Sequence, residues 1–288
     1  MWTYLNGEFI LKEHVKVSPF DRGFLFGDSV YEVIPSYNNK LFLFDEHLAR
    51  LESSLSIINI PIPDFLKNLR QLIMELVKKN QFLNQAIYIQ ITRGVDPFRS
   101  HVASSSSSPT LFISSTELEI NPYRENPMKK GLKVRLEEDI RWKRCDVKAT
   151  TLLPNIIPFH REDGLNVDEI LFYDEEKVCE GSKSNFFFVF DDLIMTPPKD
   201  QNILVGITRN YFLKRLQEEG FRVLEKEIKK DDLKEADEIW ITSSTKEIQP
   251  VYQIDDNFLP EKEYEDCYWY KALMILLSQE GSLQEVLV

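Results

Sequence analysis

The sequence predicts an α+β chain of two domains. Three observations carry that prediction. Before residue 121, strand patterns alternate with two helical ones; after residue 128, strand patterns dominate; and between them lies Asn121-Pro122-Tyr123-Arg124-Glu125-Asn126-Pro127, polar and twice interrupted by proline, as interdomain connections often are. The 288 residues suffice for two domains of about 100 to 200 residues each. The boundaries that follow are 1–120 for the N-terminal α+β domain, 121–128 for the linker and 129–288 for the C-terminal domain.

Each element has a local reason. Trp2 to Ile10 reads as two short strands around Asn6-Gly7, a dipeptide that accepts positive φ at both turn positions. Phe20 to Val33 is a glycine-bracketed turn with aromatics suited to a core, followed by a strand on which Tyr31 and Glu32 need partners if buried. Tyr37 to Phe44 is a hairpin turning at Asn38-Asn39. Asp45 then reads as the cap of a helix with Leu48, Leu51, Leu55 and Ile58 on its inner face, and Arg50, off that stripe, reads as solvated. A second helix starts near Pro63 and turns Leu66, Leu69, Ile73 and Leu76 inward. Ala86 to Thr92 alternates as a half-buried strand does. It leads through Arg93-Gly94 to Arg99-Ser100-His101 and the serine run 104–108, flexible by composition, and Leu111 to Ser114 is one more strand.

In the second half Leu132 to Leu136 is a strand, and Glu169 to Tyr173 pairs with the chain from Lys177 across an acidic turn. Phe186 to Phe190 is apolar on both faces, as central strands are, and Glu180 stands just before it. Asn202 to Arg209 closes a loop and opens a helix that stops at Gly220. Glycine and threonine at that start expose N–H groups and a hydroxyl suited to phosphate; a plain helix cap is the alternative. Glu238 to Thr245 is a strand ending in Thr242-Ser243-Ser244-Thr245, four hydroxyl residues that serve either as turn formers or as a second phosphate contact.

Composition narrows the function classes. A formal net charge of −12 repels nucleic-acid phosphates, and no basic stripe offsets it. Cys145, Cys179 and Cys267 are odd in number and lack metal-ligand spacing, so no metal site is expected and a reducing compartment fits. No apolar run reaches the ~18 residues of a membrane span and the N-terminus lacks a signal-peptide layout. The expectation is a cytoplasmic protein with neither a nucleic-acid nor a membrane partner.

The most suggestive chemistry lies in Arg141-Trp142-Lys143-Arg144-Cys145-Asp146-Val147-Lys148-Ala149. Lys148 ends a cationic approach and meets small and apolar residues. A lysine so placed can lose its ammonium form to desolvation and like charge, which is what a Schiff-base lysine requires. Taken alone, this segment also fits an exposed lysine beside a strand.

Seven segments occur in a fixed order: Asp21-Arg22-Gly23 with Phe26-Gly27-Asp28, Glu46-His47-Leu48 with Arg50-Leu51, Thr92-Arg93-Gly94, Arg141 to Lys148, Glu180-Gly181-Ser182 with Ser184-Asn185, Gly206 to Arg209, and Thr242-Ser243-Ser244. In that order the chain resembles the pyridoxal-phosphate enzymes of aminotransferase class IV over nearly its whole length. The resemblance implies fold type IV: a small α/β N-terminal domain, a larger strand-rich pseudobarrel C-terminal domain that binds pyridoxal 5'-phosphate, and a homodimer. It implies that Lys148 attaches the cofactor and shuttles the proton. Glu180 is implied to pair with the ring nitrogen and Leu204 to pack on the ring. Gly206, Ile207, Thr208, Ser243, Ser244 and Arg50 are implied to form the phosphate end.

Within the family, Arg99-Ser100-His101 and Tyr31 resemble the carboxylate trap of D-amino acid transaminases, in which the arginine and histidine act in the partner subunit's site. The implied function is a transaminase that moves the amino group between a D-amino acid of the D-alanine type and a 2-oxo acid of the 2-oxoglutarate type, by a ping-pong mechanism. The alternative is an aminodeoxychorismate lyase, then a branched-chain L-amino acid aminotransferase, and lastly a non-catalytic relative. Pro97-Phe98, the serine run and Ala149-Thr150-Thr151 depart from the commonest form of the D-amino acid branch.

Overall fold

The computed structural model describes residues 1–105, 107–161 and 166–285, and for 279–285 the backbone alone. The chain forms two compact units. One comprises Met1–Glu119 together with Val147–Leu152, the other Ile120–Asp146 and the chain from Leu153 on. Of the serine run, Ser106 lies outside the described residues, as do the last three residues of the segment read as the C-terminal domain.

The first unit is built on six strands: β1 (Trp2–Leu5), β2 (Glu8–Leu11), β3 (Ser29–Tyr37), β4 (Lys40–Leu41), β5 (Gln85–Thr92) and β6 (Thr110–Glu117). They lie in the order β2-β1-β6-β5-β3-β4, and every neighbouring pair is antiparallel. Asn6 and Gly7 both take positive φ, at 46° and 105°, which lets β1 fold straight back on β2. The alternation along β5 buries Ile87, Ile89 and Ile91. Val30 and Ile34 of β3 join them in the core.

The helix α1 (Arg22–Phe26) replaces the simple turn expected there; the Asp21 carboxylate accepts from the Gly23 N–H at 2.8 Å. Its Phe24 is 75% exposed, against the expectation of a core aromatic. The helix α2 (Phe44–Ile57) starts one residue before Asp45, because Leu43 turns the chain through φ 49°. Asp45 thus sits in the first turn and accepts from Arg70 at 2.8 Å. A 3-10 turn over Asp64–Asn68 precedes α3 (Leu69–Asn80), and Leu66, Leu69, Ile73 and Leu76 are buried as their spacing predicts.

The second unit is a nine-stranded sheet. Its strands are β7 (Leu132–Glu138), β8 (Glu169–Asp174), β9 (Lys177–Gly181), β10 (Asn185–Phe190), β11 (Leu193–Thr196), β12 (Val223–Glu225), β13 (Glu238–Ser243), β14 (Glu247–Ile254) and β15 (Asn257–Phe258). The order is β12-β11-β10-β13-β14-β7-β8-β9, with β15 on β14. Phe186, Phe187 and Phe188 are fully buried on both faces of β10, and Phe187 stacks on Trp240 of β13 at 5.5 Å. This mixture of helices with a strand-rich sheet is the α+β architecture that the sequence predicts. Among the described residues of this unit, the α-helices are α4 (Leu153–Ile156), α5 (Ile207–Glu218) and α6 (Tyr268–Glu285). No described helix is long and apolar enough to cross a membrane. The proline-marked segment after residue 120 folds onto this unit: Asn121 Nδ2 donates to the Ile248 carbonyl at 2.8 Å, and buried Tyr123 donates its hydroxyl to the Lys130 carbonyl at 2.8 Å.

Candidate active site

In the first unit, the returning segment Val147–Leu152 adds its backbone to β3. Tyr31 N–H donates to the Lys148 carbonyl at 3.0 Å, and Thr150 N–H donates to the Ser29 carbonyl at 3.2 Å. Val147 and Ala149 are buried in the core. In extended chain, side chains alternate, so Lys148 faces away from those two. Its ammonium stands 4.3 Å from the centre of the Tyr31 ring. The cations expected to press on it are offset by carboxylates of their own, Lys143 by Asp174 and Arg144 by Asp146 at 3.0 Å.

Beneath Tyr31, the next residue of β3 anchors a buried ionic cluster. Glu32 is fully buried; its Oε2 accepts from His47 Nδ1 at 2.7 Å and its Oε1 from Arg50 Nε at 2.7 Å, with Arg50 Nη2 also on Oε2 at 2.9 Å. Burial pushes the Glu32 carboxyl up, but the Arg50 charge and the bonds from His47 and Arg50 outweigh it and hold the pKa at about 2. His47 is held below its ordinary value by burial, with the Arg50 and Lys148 charges acting in the same sense against Glu32. Arg50 is therefore a braced, mostly buried arginine and not a solvated one. Sequence reasoning singled out Arg50 but gave no role to Glu32 or His47. The signal available was Glu32 itself, an acidic residue in a strand with buried neighbours.

Arg99 and His101 sit on the loop after β5 and are exposed. Both rest on Phe26 of α1: the Arg99 guanidinium is 4.9 Å from the ring centre and the His101 ring 5.7 Å, edge to face. Arg22 fixes the loop from below. Its Nη1 donates to Asp96 at 2.8 Å and to the Ser100 carbonyl at 2.7 Å, and its Nη2 donates to the His101 carbonyl at 3.1 Å.

In the second unit, Glu180 is the penultimate residue of β9 and is buried. Its Oε1 accepts from Arg141 Nη1 at 2.6 Å and from the Leu204 N–H at 3.0 Å, and its Oε2 accepts from Asn185 Nδ2 at 3.1 Å. Arg141 also grips Asp139 at 2.8 Å and the Asn202 carbonyl at 3.0 Å. Burial alone would lower the Arg141 pKa, but the bond to Asp139 and the charges of Glu180 and Asp139 carry it upward. The loop from Leu204 runs into α5, capped by Gly206, with Ile207 and Thr208 buried in its first turn. Those first N–H groups have no partner inside the helix, so the turn is a ready anion site. Arg209, fully buried, ties the turn to the Pro197 carbonyl at 2.6 Å and to Glu225 at 2.8 Å. Ser243 and Ser244 are half-buried at the end of β13, with Ser243 Oγ accepting from the Lys246 N–H at 3.2 Å.

The three cysteines are buried and free. Burial pushes the thiols up to about 12 at Cys145 and Cys179 and about 11 at Cys267, so none offers a thiolate at neutral pH.

Comparisons with known proteins identify the family. Residues 29–254 match the family model described as amino-transferase class IV. The chain is 37% identical over 255 residues to the D-alanine aminotransferase of Listeria monocytogenes, covering 88% of each. It is 35% identical over 253 residues to that of Staphylococcus epidermidis, covering 88% of this chain and 89% of the relative. Among solved structures, the branched-chain aminotransferase of Thermoproteus uzoniensis superposes with a TM-score of 0.84 at 26% identity, over 98% of this chain and 96% of that one. A family match across most of the chain and relatives above one-third identity place it: the chain belongs to the class IV aminotransferases and is an aminotransferase.

Proposed function

We propose that the chain is a pyridoxal-phosphate transaminase that exchanges the amino group between a D-amino acid of the D-alanine type and a 2-oxo acid of the 2-oxoglutarate type. The observation that carries the reading is the Lys148 Nζ, 4.3 Å from the centre of the Tyr31 ring, which sets a lysine beside a phenol that can bind a substrate carboxylate. The likeness to D-alanine aminotransferases at 37% and 35% identity supports the choice of substrate hand.

The residues present fit the cofactor. A buried carboxylate braced by an arginine suits a protonated ring nitrogen, and the first turn of α5 suits a phosphate. When bound, pyridoxal phosphate supplies a protonated ring that takes up the electron pair left as the substrate Cα–H bond breaks. Lys148 Nζ would hold the cofactor between turnovers and, once released by substrate, would carry the proton between the substrate Cα and the cofactor's C4′ carbon. Glu180 holds the proton at the ring nitrogen, and Leu204 covers the ring. The N–H groups of Ile207 and Thr208, at the Gly206 cap, hold the phosphate with the hydroxyls of Thr208, Ser243 and Ser244 and with Arg50. Arg99 presents a planar fork to the α-carboxylate, with His101 and the Tyr31 hydroxyl as further donors.

A homodimer in which the 99–101 loop serves the neighbouring subunit is part of the proposal, supported by the exposure of Arg99 and His101 on a loop that Arg22 keeps rigid. The free cysteines support a reducing, cytoplasmic setting. Steady-state kinetics of Arg99→Ala and His101→Ala with D-alanine and 2-oxoglutarate test the substrate reading. The Arg99 variant is expected to lose at least about 10²-fold in kcat/KM, the scale of a lost positioning contact. Unchanged D-alanine turnover in both variants contradicts it and favours the lyase, whose elimination of pyruvate does not need this clamp.

A further inference from the structure

Asn185 opens β10 and is 6% exposed. Its side-chain N–H group reaches two oxygens, Glu180 Oε2 at 3.1 Å and the Leu204 carbonyl at 2.9 Å. The Leu204 N–H in turn donates to Glu180 Oε1 at 3.0 Å. Carboxylate, amide and loop residue thus close a ring of three hydrogen bonds. The other end of the same amide faces Gly206: a Cβ built there would stand 2.0 Å from Asn185 Oδ1. Gly206 has φ −63°, a value open to any residue. Glycine is needed at that position because of the amide and not because of the backbone.

We propose that Asn185 is a positioning residue that couples the ring-nitrogen carboxylate to the phosphate-binding turn. The inference rests on the cofactor reading above and adds to it that the two ends are one mechanical unit. The surroundings ask for a donor at one end of the side chain and a compact, flat group at the other. Its donor must serve two acceptors, and its acceptor end must be small and flat enough to lie against the Cα of Gly206. A carboxylate of the same shape puts acceptor against acceptor at both Glu180 and the Leu204 carbonyl. Like charge beside Glu180 also favours a proton there, which removes the anion that the ring nitrogen needs.

The test is a binding measurement on the cofactor-free protein. Pyridoxal phosphate and pyridoxal, which lacks the phosphate, are titrated into wild type, Asn185→Ala and Asn185→Asp, with cofactor absorbance recorded against pH. The coupling predicts that Asn185→Ala weakens both ligands, by about 10-fold, the scale of one lost hydrogen bond to a charged group. It further predicts that Asn185→Asp, although isosteric, binds both more weakly than the alanine variant and shifts the pH at which the band changes. A merely space-filling role would give the opposite order. Gly206→Ala keeps Asn185 in the chain but displaces its amide, so it should lose affinity for both ligands as well; this gives a reading even where the Asn185 variants fail to fold. The inference is overturned if Asn185→Asp binds both ligands like wild type, or if Gly206→Ala loses pyridoxal phosphate but not pyridoxal. A wild-type chain that takes up no pyridoxal phosphate overturns the functional reading, and this inference with it.

Discussion

At the scale of single residues, the chemistry depends on how a few charged groups are neutralised or left available. Lys148→Ala removes both the attachment point and the base, and transaminase turnover should fall by at least about 10³-fold, within the range of lost acid–base catalysis; residual activity near wild type contradicts the assignment. Glu32 makes a separate prediction. Its carboxyl is held at about 2 by Arg50 and His47 despite burial. The stability it contributes is fully present above the ordinary carboxylate range and is lost as the pH falls from there toward 2. Glu32→Gln removes the buried carboxylate of this cluster and should cost about 3–5 kcal/mol at neutral pH, with a shallower acid limb in the thermal-unfolding profile. An unchanged acid limb would show that the cluster does not govern acid sensitivity. The site's named members were legible in the sequence because motif order carried them. Glu32 and Asn185 were not assigned roles, since their partners, Arg50 and His47 in one case and Leu204 and Gly206 in the other, are joined only by folding.

At the scale of elements, short segments hold the functional groups in place. Gly94 has φ 108°, and a Cβ there would stand 1.9 Å from the Ser108 carbonyl oxygen. Gly94→Ala should therefore displace the loop that carries Arg99 and His101 and raise KM for D-alanine. A variant with wild-type KM would show that the loop tolerates the shift. The start of α6 offers a pH signature. Glu238 accepts from the Tyr268 N–H at 2.8 Å and from the Trp269 N–H at 3.4 Å, and burial raises its carboxyl to about 7 although these N–H groups and the Lys262 and Lys271 charges oppose it. The folded chain thus holds a proton that the unfolded chain releases. The associated stability is full at pH 4.5 and below, and is lost as the pH rises toward 7. Glu238→Gln should flatten the fall in melting temperature between pH 5 and pH 8; an equal fall in variant and wild type contradicts the assignment. Helix and strand positions were readable wherever apolar spacing was regular, as in β5, α3 and β10. The start of α2 was misread because Leu43 in a left-handed turn leaves no polar-cap signature.

At the scale of the whole molecule, the two-layered pattern of the sequence, helices and strands first and strands later, was enough to predict an α+β chain. It did not show that Val147–Leu152 returns to the first unit as an added strand-like segment on β3. A segment this short does not reveal which sheet it joins, because that choice is made by non-local pairing. The return matters for function, since it puts Lys148 beside Tyr31. Substrate hand is the central claim that follows. The measurement that tests it most directly is a half-reaction: the chain loaded with pyridoxal phosphate is mixed with D-alanine or with L-leucine, without any oxo acid, and the cofactor band is followed. The account predicts bleaching by D-alanine and not by L-leucine; bleaching by L-leucine alone would contradict it and move the chain to the branched-chain branch.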